Sequence, residues 1–357
     1  MGNIYNMEQY PVFDPEYIKE VSTENTRFFK QHLAFTNAVV NTAQLQSENS
    51  SEIPLTFYPI AKNIRTVTSF MANYVMSGRE SVMNNMARKG EINHWKKHND
   101  MEWYPWLWAR GRMDKEDYTN QEGWNYYFDS FGSTHKDLPI SKNPIQPPGE
   151  IIVFFIYLSC CKYAFRLSAH FQDMMAKYKA EMEWPENGKV LAVQIRRGDT
   201  VRKDGSMPGR AYFDLNDYIE KMDVMIAENG FEYIYISTDS NEEMGEIQKL
   251  RPEWKLLQLP IDRCQFFRMD EAHELYGKHV DLEVFCAMHP DRIPFTMDSG
   301  MADLYFISQC QGYISTISIS EFSMCGWYLQ IAEQEKLTPY INMTGEEINV
   351  RKKLLLL

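Results

Sequence analysis

After residue 189, apolar residues gather in short unbroken runs, and each run stops at a cluster of polar or charged residues. Val190-Leu-Ala-Val-Gln-Ile195 is one such run, and Tyr233-Ile-Tyr-Ile-Ser237, Trp254-Lys-Leu-Leu-Gln-Leu259 and Gly312-Tyr-Ile-Ser315 are others. Runs this short, rich in β-branched and aromatic residues, predict strands buried on both faces of a parallel sheet. Segments at about 214–228, 241–250, 269–288, 299–309 and 320–335 carry apolar residues at helical spacing. Strands separated by helix-length segments predict a doubly wound α/β sheet with helices on both faces.

Residues 1–150 follow a different grammar. Residues 1–60 read as peripheral, with the polar stretch 44–51 as a loop, and Ile64 to Lys89 carries Met and Val at helical spacing, interrupted at Gly78. An aromatic cluster follows (Trp95, Trp103, Tyr104, Trp106, Trp108, then Trp124, Tyr126, Tyr127 and Phe128). Most of these rings are expected in a core, where aromatics dominate packing, and a minority as a platform on which a sugar ring stacks. His94 and His98 share a helix face with Lys96 and Lys97 between them, which reads as a solvated face rather than a metal site. The Pro-rich stretch from Pro139 to Gly149 marks a crossover between two units.

Composition narrows the class. A chain of 357 residues with 44% hydrophobic and 24% charged residues is that of a globular protein with room for two cores. Its net charge of −12 argues against a general nucleic-acid binder, although a local arginine cluster still suffices to hold an anion. Cysteines stand at 160, 161, 264, 286, 310 and 325 with no CxxC or Cys/His metal spacing. Reduced, buried thiols and a cytoplasmic setting are the expectation. The N-terminus has no apolar signal core, and the run Ile151 to Cys161 is about half of what a membrane span needs, so it reads as a buried helix with no membrane span.

The polar stops carry the candidate chemistry. Arg196, Arg197, Gly198 and Asp199 end the first strand, where α/β sheets collect ligands. A guanidinium offers a planar fork of donors that matches a phosphate and keeps its charge at any working pH. Thr238, Asp239, Ser240 and Asn241 end the next strand, and for Asp239 a helix-capping role and a ligand role weigh equally. Ser315, Thr316, Ser318 and Ser320 lead into a helix whose N-terminus could hold an anion, or Ser320 could simply cap it. The segment Asp298 to Gln309 reads as a helix with acids, Asp298 and Asp303, near its start. No GxGxxG, Walker A, GxSxG or HExxH motif competes. A strict Asp-x-Asp for a divalent metal is also missing, with Asp281-Leu-Glu283 the nearest approach, so guanidinium in place of metal is the consistent picture.

With those residues in view, VLAVQIRRGDTV resembles the His-Val-Arg-Arg-Thr-Asp strand end of the α-1,6-fucosyltransferases. YIYISTDSNEEMGEIQ is similar to that family's strand and Thr-Asp-Asp turn, and ADLYFISQCQGYISTISIS to its Asp-x-x-Phe-Leu-Ser-Gln helix and Thr-x-Ser-Ser strand end. The matches come in order and cover the C-terminal half, with Gly123-Trp124 and Tyr127-Phe128 a fainter echo. The resemblance implies a GT-B-like α/β fold of two Rossmann-like lobes. Residues 1–149 would form a mainly helical or α/β lobe on the acceptor side, 150–340 the nucleotide-sugar lobe, and 341–357 a tail. It implies an inverting transferase that moves L-fucose from GDP-fucose to a glycan hydroxyl with no metal and no further cofactor. By position, Arg196 and Arg197 would neutralise the departing diphosphate, with Gly198 letting the backbone approach. Gln194, Thr238, Asp239, Asp303, Thr316, Ser318 and Ser320 would contact or orient the donor. Asp204 is the implied base, with Asp199 as the competing choice. Gln194 replaces the family's His, Thr200 its Lys and Ser240 its second Asp. These departures keep two other readings open, another nucleotide sugar as donor or an inactive nucleotide- or glycan-binding protein. The family's stem, membrane anchor and SH3-like module have no counterpart here, so core fucosylation in the secretory pathway is not expected.

Overall fold

The computed structural model describes residues 165–197, 212–263 and 293–345, the strands Ser51–Ile53 and Ser81–Met83, and residues Ile64, Thr68, Leu158, Cys161 and Lys162. β1 (Ser51–Ile53) and β2 (Ser81–Met83) pair in parallel. The strand β2 corrects the helix expected from Ile64 to Lys89: Ile64 and Thr68 are helical, but the chain is extended by Ser81. Leu158, Cys161 and Lys162 are helical, and the first two are buried, as the apolar run before residue 162 predicts.

The main sheet is parallel throughout and has the order β5-β4-β3-β6-β7. Its strands are β3 (Val190–Ile195), β4 (Tyr233–Thr238), β5 (Lys255–Leu257), β6 (Gly312–Ser315) and β7 (Tyr340–Asn342). The pairing Val190 with Tyr233 through Ile195 with Thr238 fixes the register of β3 on β4, and Val193 lies beside Ile314 of β6. From the central β3 the chain moves outward through β4 to β5, then returns to the other side of β3 for β6 and β7. The gap between β3 and β6 is therefore the topological switch point, where helices leave opposite faces and a crevice opens at the carboxyl ends.

The period-two alternation of each strand divides the core. Leu191, Val193, Ile195, Ile234, Ile236 and Ile314 pack in one cluster with Tyr218, Ile219, Met222 and Met225 of α2 (Leu215–Asn229) and Ile247 of α3 (Glu243–Leu250). On the opposite face Tyr235 packs against Phe306 of α4 (Ile293–Gln309) and Trp184, which follows α1 (Ala169–Glu181). Alongside α4 lies α5 (Glu321–Gln334), buried without a break from Ser323 to Ala332, as a helix enclosed on all sides must be. The amino ends of the strands are closed by rings. Phe231 covers Gly312 and Tyr233 covers Gly188 so closely that neither glycine has room for a Cβ.

Most of the alternation forecast is realised, with two shifts. Helix α4 starts at Ile293 rather than 299, since Pro294 in a first turn has no N–H to lose, so Asp298 and Asp303 lie within the helix and not near its start. β7 is a fifth strand not foreseen: three residues after Pro339 give no apolar run, yet Ile341 and Asn342 pair with Ile314 and Ser315, so the sheet reaches past residue 340. The helix expected at 269–288 lies outside the described residues. Cys161, Cys310 and Cys325 are buried and form no disulfide among the described residues. No described helix is long and apolar enough to cross a membrane.

Candidate functional site

The three strand ends that carry the sequence motifs are neighbours: β4, β3 and β6 stand side by side in the sheet. Arg196 and Arg197, though adjacent, take opposite roles, and the strand's alternation explains why. Arg197 continues the parity of Val193 and Ile195, which face α2 and α3. Its Nε donates to Glu243 Oε1 at 2.6 Å and its Nη1 to the Phe213 carbonyl at 3.0 Å. The guanidinium also lies 4.7 Å from the Tyr212 ring centroid and 5.8 Å from that of Tyr218. Only 12% of the side chain is exposed, with 10% for Glu243. A buried pair of this kind holds elements together, and breaking it would leave one charge uncompensated at a cost of about 3–5 kcal/mol. The Arg197 side chain, expected at the donor, is thus turned to the interior and paired with Glu243.

Arg196 continues the parity of Gln194 and keeps 35% of its side chain exposed. Its Nη1 donates to Asp239 Oδ2 at 3.1 Å, and the Arg197 main-chain N–H donates to Asp239 Oδ1 at 2.7 Å. Asp239 is thus a brace. It fixes where β3 ends and where the Arg196 fork sits, while remaining almost wholly buried itself. The remaining polar groups of this turn are internally satisfied. Thr238 Oγ1 accepts from the Ser240 N–H, and Ser240 Oγ accepts from the Glu242 N–H.

Under the end of β4 lies a second polar nest. Tyr235 donates to Asp303 Oδ1 at 2.5 Å, joining β4 to α4. Burial pushes the Asp303 carboxyl up to about 6, opposed by the nearby Arg263 and by hydroxyl bonds from Tyr235 and Ser237. Asp303 links β4 to α4 and is buried. Arg263, missed from the sequence, is almost fully buried and donates to the carbonyls of Thr238 at 3.0 Å and Leu259 at 2.8 Å. The only hint of it in the chain was a basic residue shortly after a predicted strand.

The β6 side is neutral. Ser320 caps α5, accepting from the Ser323 N–H at 3.2 Å, so the capping alternative holds for it. Ser318 is tied to the turn after β7: its Oγ lies 2.8 Å from Thr344 Oγ1, and its N–H donates to Asn342 Oδ1. The Thr316 carbonyl accepts from the N–H groups of Ile319 and Ser320. The amides of residues 318–320 therefore have partners inside the turn, and the open anion cradle expected there is largely closed. Gln194 meets Tyr313, Ser315 and Ser323, a cluster also missed from the sequence. The signal was present, since Tyr313 and Ser315 share a face of β6 by parity. Gly198, Asp199 and Asp204 lie outside the described residues.

No protein-family model matches the chain, and no curated protein does. Among solved structures it is similar to the fucosyltransferase NodZ from Bradyrhizobium, with 11% identity, TM-score 0.38, and coverage of 79% of this chain and 93% of that one. It is also similar to POFUT1 in complex with GDP, with 11% identity, TM-score 0.40, and coverage of 83% and 98%. The NodZ α-1,6-fucosyltransferase soaked with GDP-fucose gives 12% identity and TM-score 0.38 over 79% of this chain and 93% of that one. At this depth of overlap the chemistry is read from the side chains at the sheet edge.

Proposed function

We propose that the protein is an inverting, metal-independent glycosyltransferase that moves L-fucose from GDP-fucose to a glycan hydroxyl, through a GT-B-like pair of lobes. One observation supports this reading above the others. The ordered motifs that resemble α-1,6-fucosyltransferases, far apart in the chain, end on adjacent strands at one switch point, and Arg196 stands there half-exposed and braced by Asp239. In the proposed reaction the acceptor oxygen bonds to the anomeric carbon on the face opposite the diphosphate. The sugar–oxygen bond breaks with its electron pair leaving on GDP, and the acceptor's proton passes to a carboxylate. Asp204 is proposed as that base and Asp199 as the alternative. Arg196 meets the charge that grows on the leaving diphosphate, a preorganised electrostatic effect that needs no metal when the fork is already aimed.

The test is a donor screen in the presence of EDTA, read by nucleotide release. Release of GDP from GDP-fucose, lost in an Arg196→Ala protein that still folds, is the expected result. Near-normal release by Arg196→Ala rejects the role of Arg196. Activity that disappears with EDTA and returns with magnesium rejects metal independence. Stabilisation by UDP in preference to GDP would point to a different donor.

A further inference from the structure

At the switch point the side-chain oxygen of Gln194 is held by fully buried hydroxyls. Tyr313 donates to Oε1 at 3.0 Å, while Ser315 and Ser323 lie 2.7 Å and 2.5 Å from it. The two serine oxygens are themselves 2.7 Å apart. Proton counting decides the arrangement. Each hydroxyl has one proton. One serine donates to the other, the second serine donates to Gln194, and Tyr313 supplies the remaining bond, so both lone pairs of Oε1 are filled. Burial raises the Tyr313 phenol well above its ordinary range, so it stays a donor. Turning the amide over would aim its N–H2 at the hydroxyls and leave two buried hydroxyl protons with no acceptor, which is costly. The Gln194 amide is therefore locked in one orientation. No described residue accepts from its Nε2.

We propose that Tyr313, Ser315 and Ser323 are positioning residues that make Gln194 an obligate neutral donor at the switch point, so that the ligand group held there is a hydrogen-bond acceptor, a phosphoryl or carbonyl oxygen of the nucleoside diphosphate. The proposal rests on the nucleotide reading above. Unlike histidine at this position, a pinned glutamine neither titrates near neutrality nor presents an acceptor. Its contribution to binding is accordingly constant with pH, and it disfavours a donor group in the same place.

The measurement is calorimetric titration of the full chain with GDP at fixed salt, in a double-mutant cycle. Ser323→Ala alone leaves Ser315 and Tyr313 donating to Oε1 and should change little, whereas Ser315→Ala with Ser323→Ala leaves Tyr313 as the one donor of the three, loosens the amide and should weaken GDP about tenfold, the worth of one well-aligned bond. In the Gln194→Ala background the same pair of serine changes should have no further effect, because nothing remains to be oriented. Gln194→Glu should weaken GDP more than Gln194→Ala, since it sets a carboxylate where a donor stood. Tyr313→Phe, which retains the ring, gives a second cycle should the doubly substituted serine variant fail to fold. Equal losses in both backgrounds, or no loss in either, overturn the proposal. Gln194→His restoring wild-type affinity with no pH dependence from pH 5.5 to 8 overturns it too. If the wild-type chain binds no GDP, or Arg196→Ala binds it unchanged, the nucleotide reading itself falls. If GDP binds and Arg196→Ala abolishes binding while the cycle shows no coupling, only the positioning role is lost.

Discussion

The two flanks of β3 solve the same problem with opposite chemistry. On the β4 side the main contacts are ionic: Asp239 holds Arg196, Glu243 holds Arg197, and Asp303 lies near the buried Arg263. On the β6 side a neutral amide and a set of hydroxyls do the work, with Glu321 at the start of the following helix. The contrast teaches where a bound diphosphate could have its effect. Of these six charged groups Arg196 keeps the most exposure. The neutral flank adds donors without adding countercharge that would compete for that guanidinium.

Substitutions can break this contrast. The largest effect is expected from Arg196→Ala, a loss of sugar transfer of about a thousandfold, equivalent to about 4 kcal/mol of transition-state stabilisation. Its unfolding midpoint should fall less than that of Arg197→Ala, because Arg196 is partly exposed and the buried Asp239 keeps the Arg197 main-chain N–H as a donor. Arg197→Ala should do the reverse in urea unfolding. It strands Glu243, whose Oε2 already has no hydrogen-bond partner, and is expected to cost about 3–4 kcal/mol of stability. If the two arginines lose activity and stability in equal measure, the division of labour between them is wrong.

Asp303 sharpens the comparison through pH. Its folded-state pKa of about 6 lies above the ordinary 3.8, so the folded form retains a proton that the unfolded chain releases. Below pH 4 the carboxyl is protonated in both states and carries no penalty. Between pH 4 and 6 stability from this group falls as pH rises, and above pH 6 the folded state bears the full cost, about 3 kcal/mol. Asp303→Asn should remove that slope. The stability difference between variant and wild type, measured by urea titration at pH 4 and pH 7.5, is expected to shift in the variant's favour by roughly this amount. A difference that stays flat over the range would show that Asp303 is ionised normally. The smallest effect is that of Gly312→Ala, whose added Cβ runs into the Phe231 ring. It should cost about 1–3 kcal/mol by overpacking and leave GDP binding per folded molecule unaltered.

Alternation and strand-end polarity made β3, β4, β5 and β6 readable from the chain, because a strand buried on both faces permits few polar residues before its end. β7 was hidden because its three residues, all only half-buried, lie on the outer edge of the sheet and need no apolar run. The site was legible as a set of residues but not as a set of roles. Arg196 and Arg197 are equivalent in a motif, and only the facing of each side of the strand separates them. Likewise Asp239 could be read as cap or ligand, and its position between two arginine donors makes it a brace. Partners such as Arg263 and Ser323 belong to other elements, so no local spacing announces them.

The rings that close the amino ends of the strands give the sheet a polarity of its own. With Phe231 seated on Gly312 and Tyr233 on Gly188, ring packing plugs the amino ends of β6 and β3 like a stopper. Changes at the stopper should then register in how firmly the sheet holds its shape, and changes at the opposite rim in what it will accept.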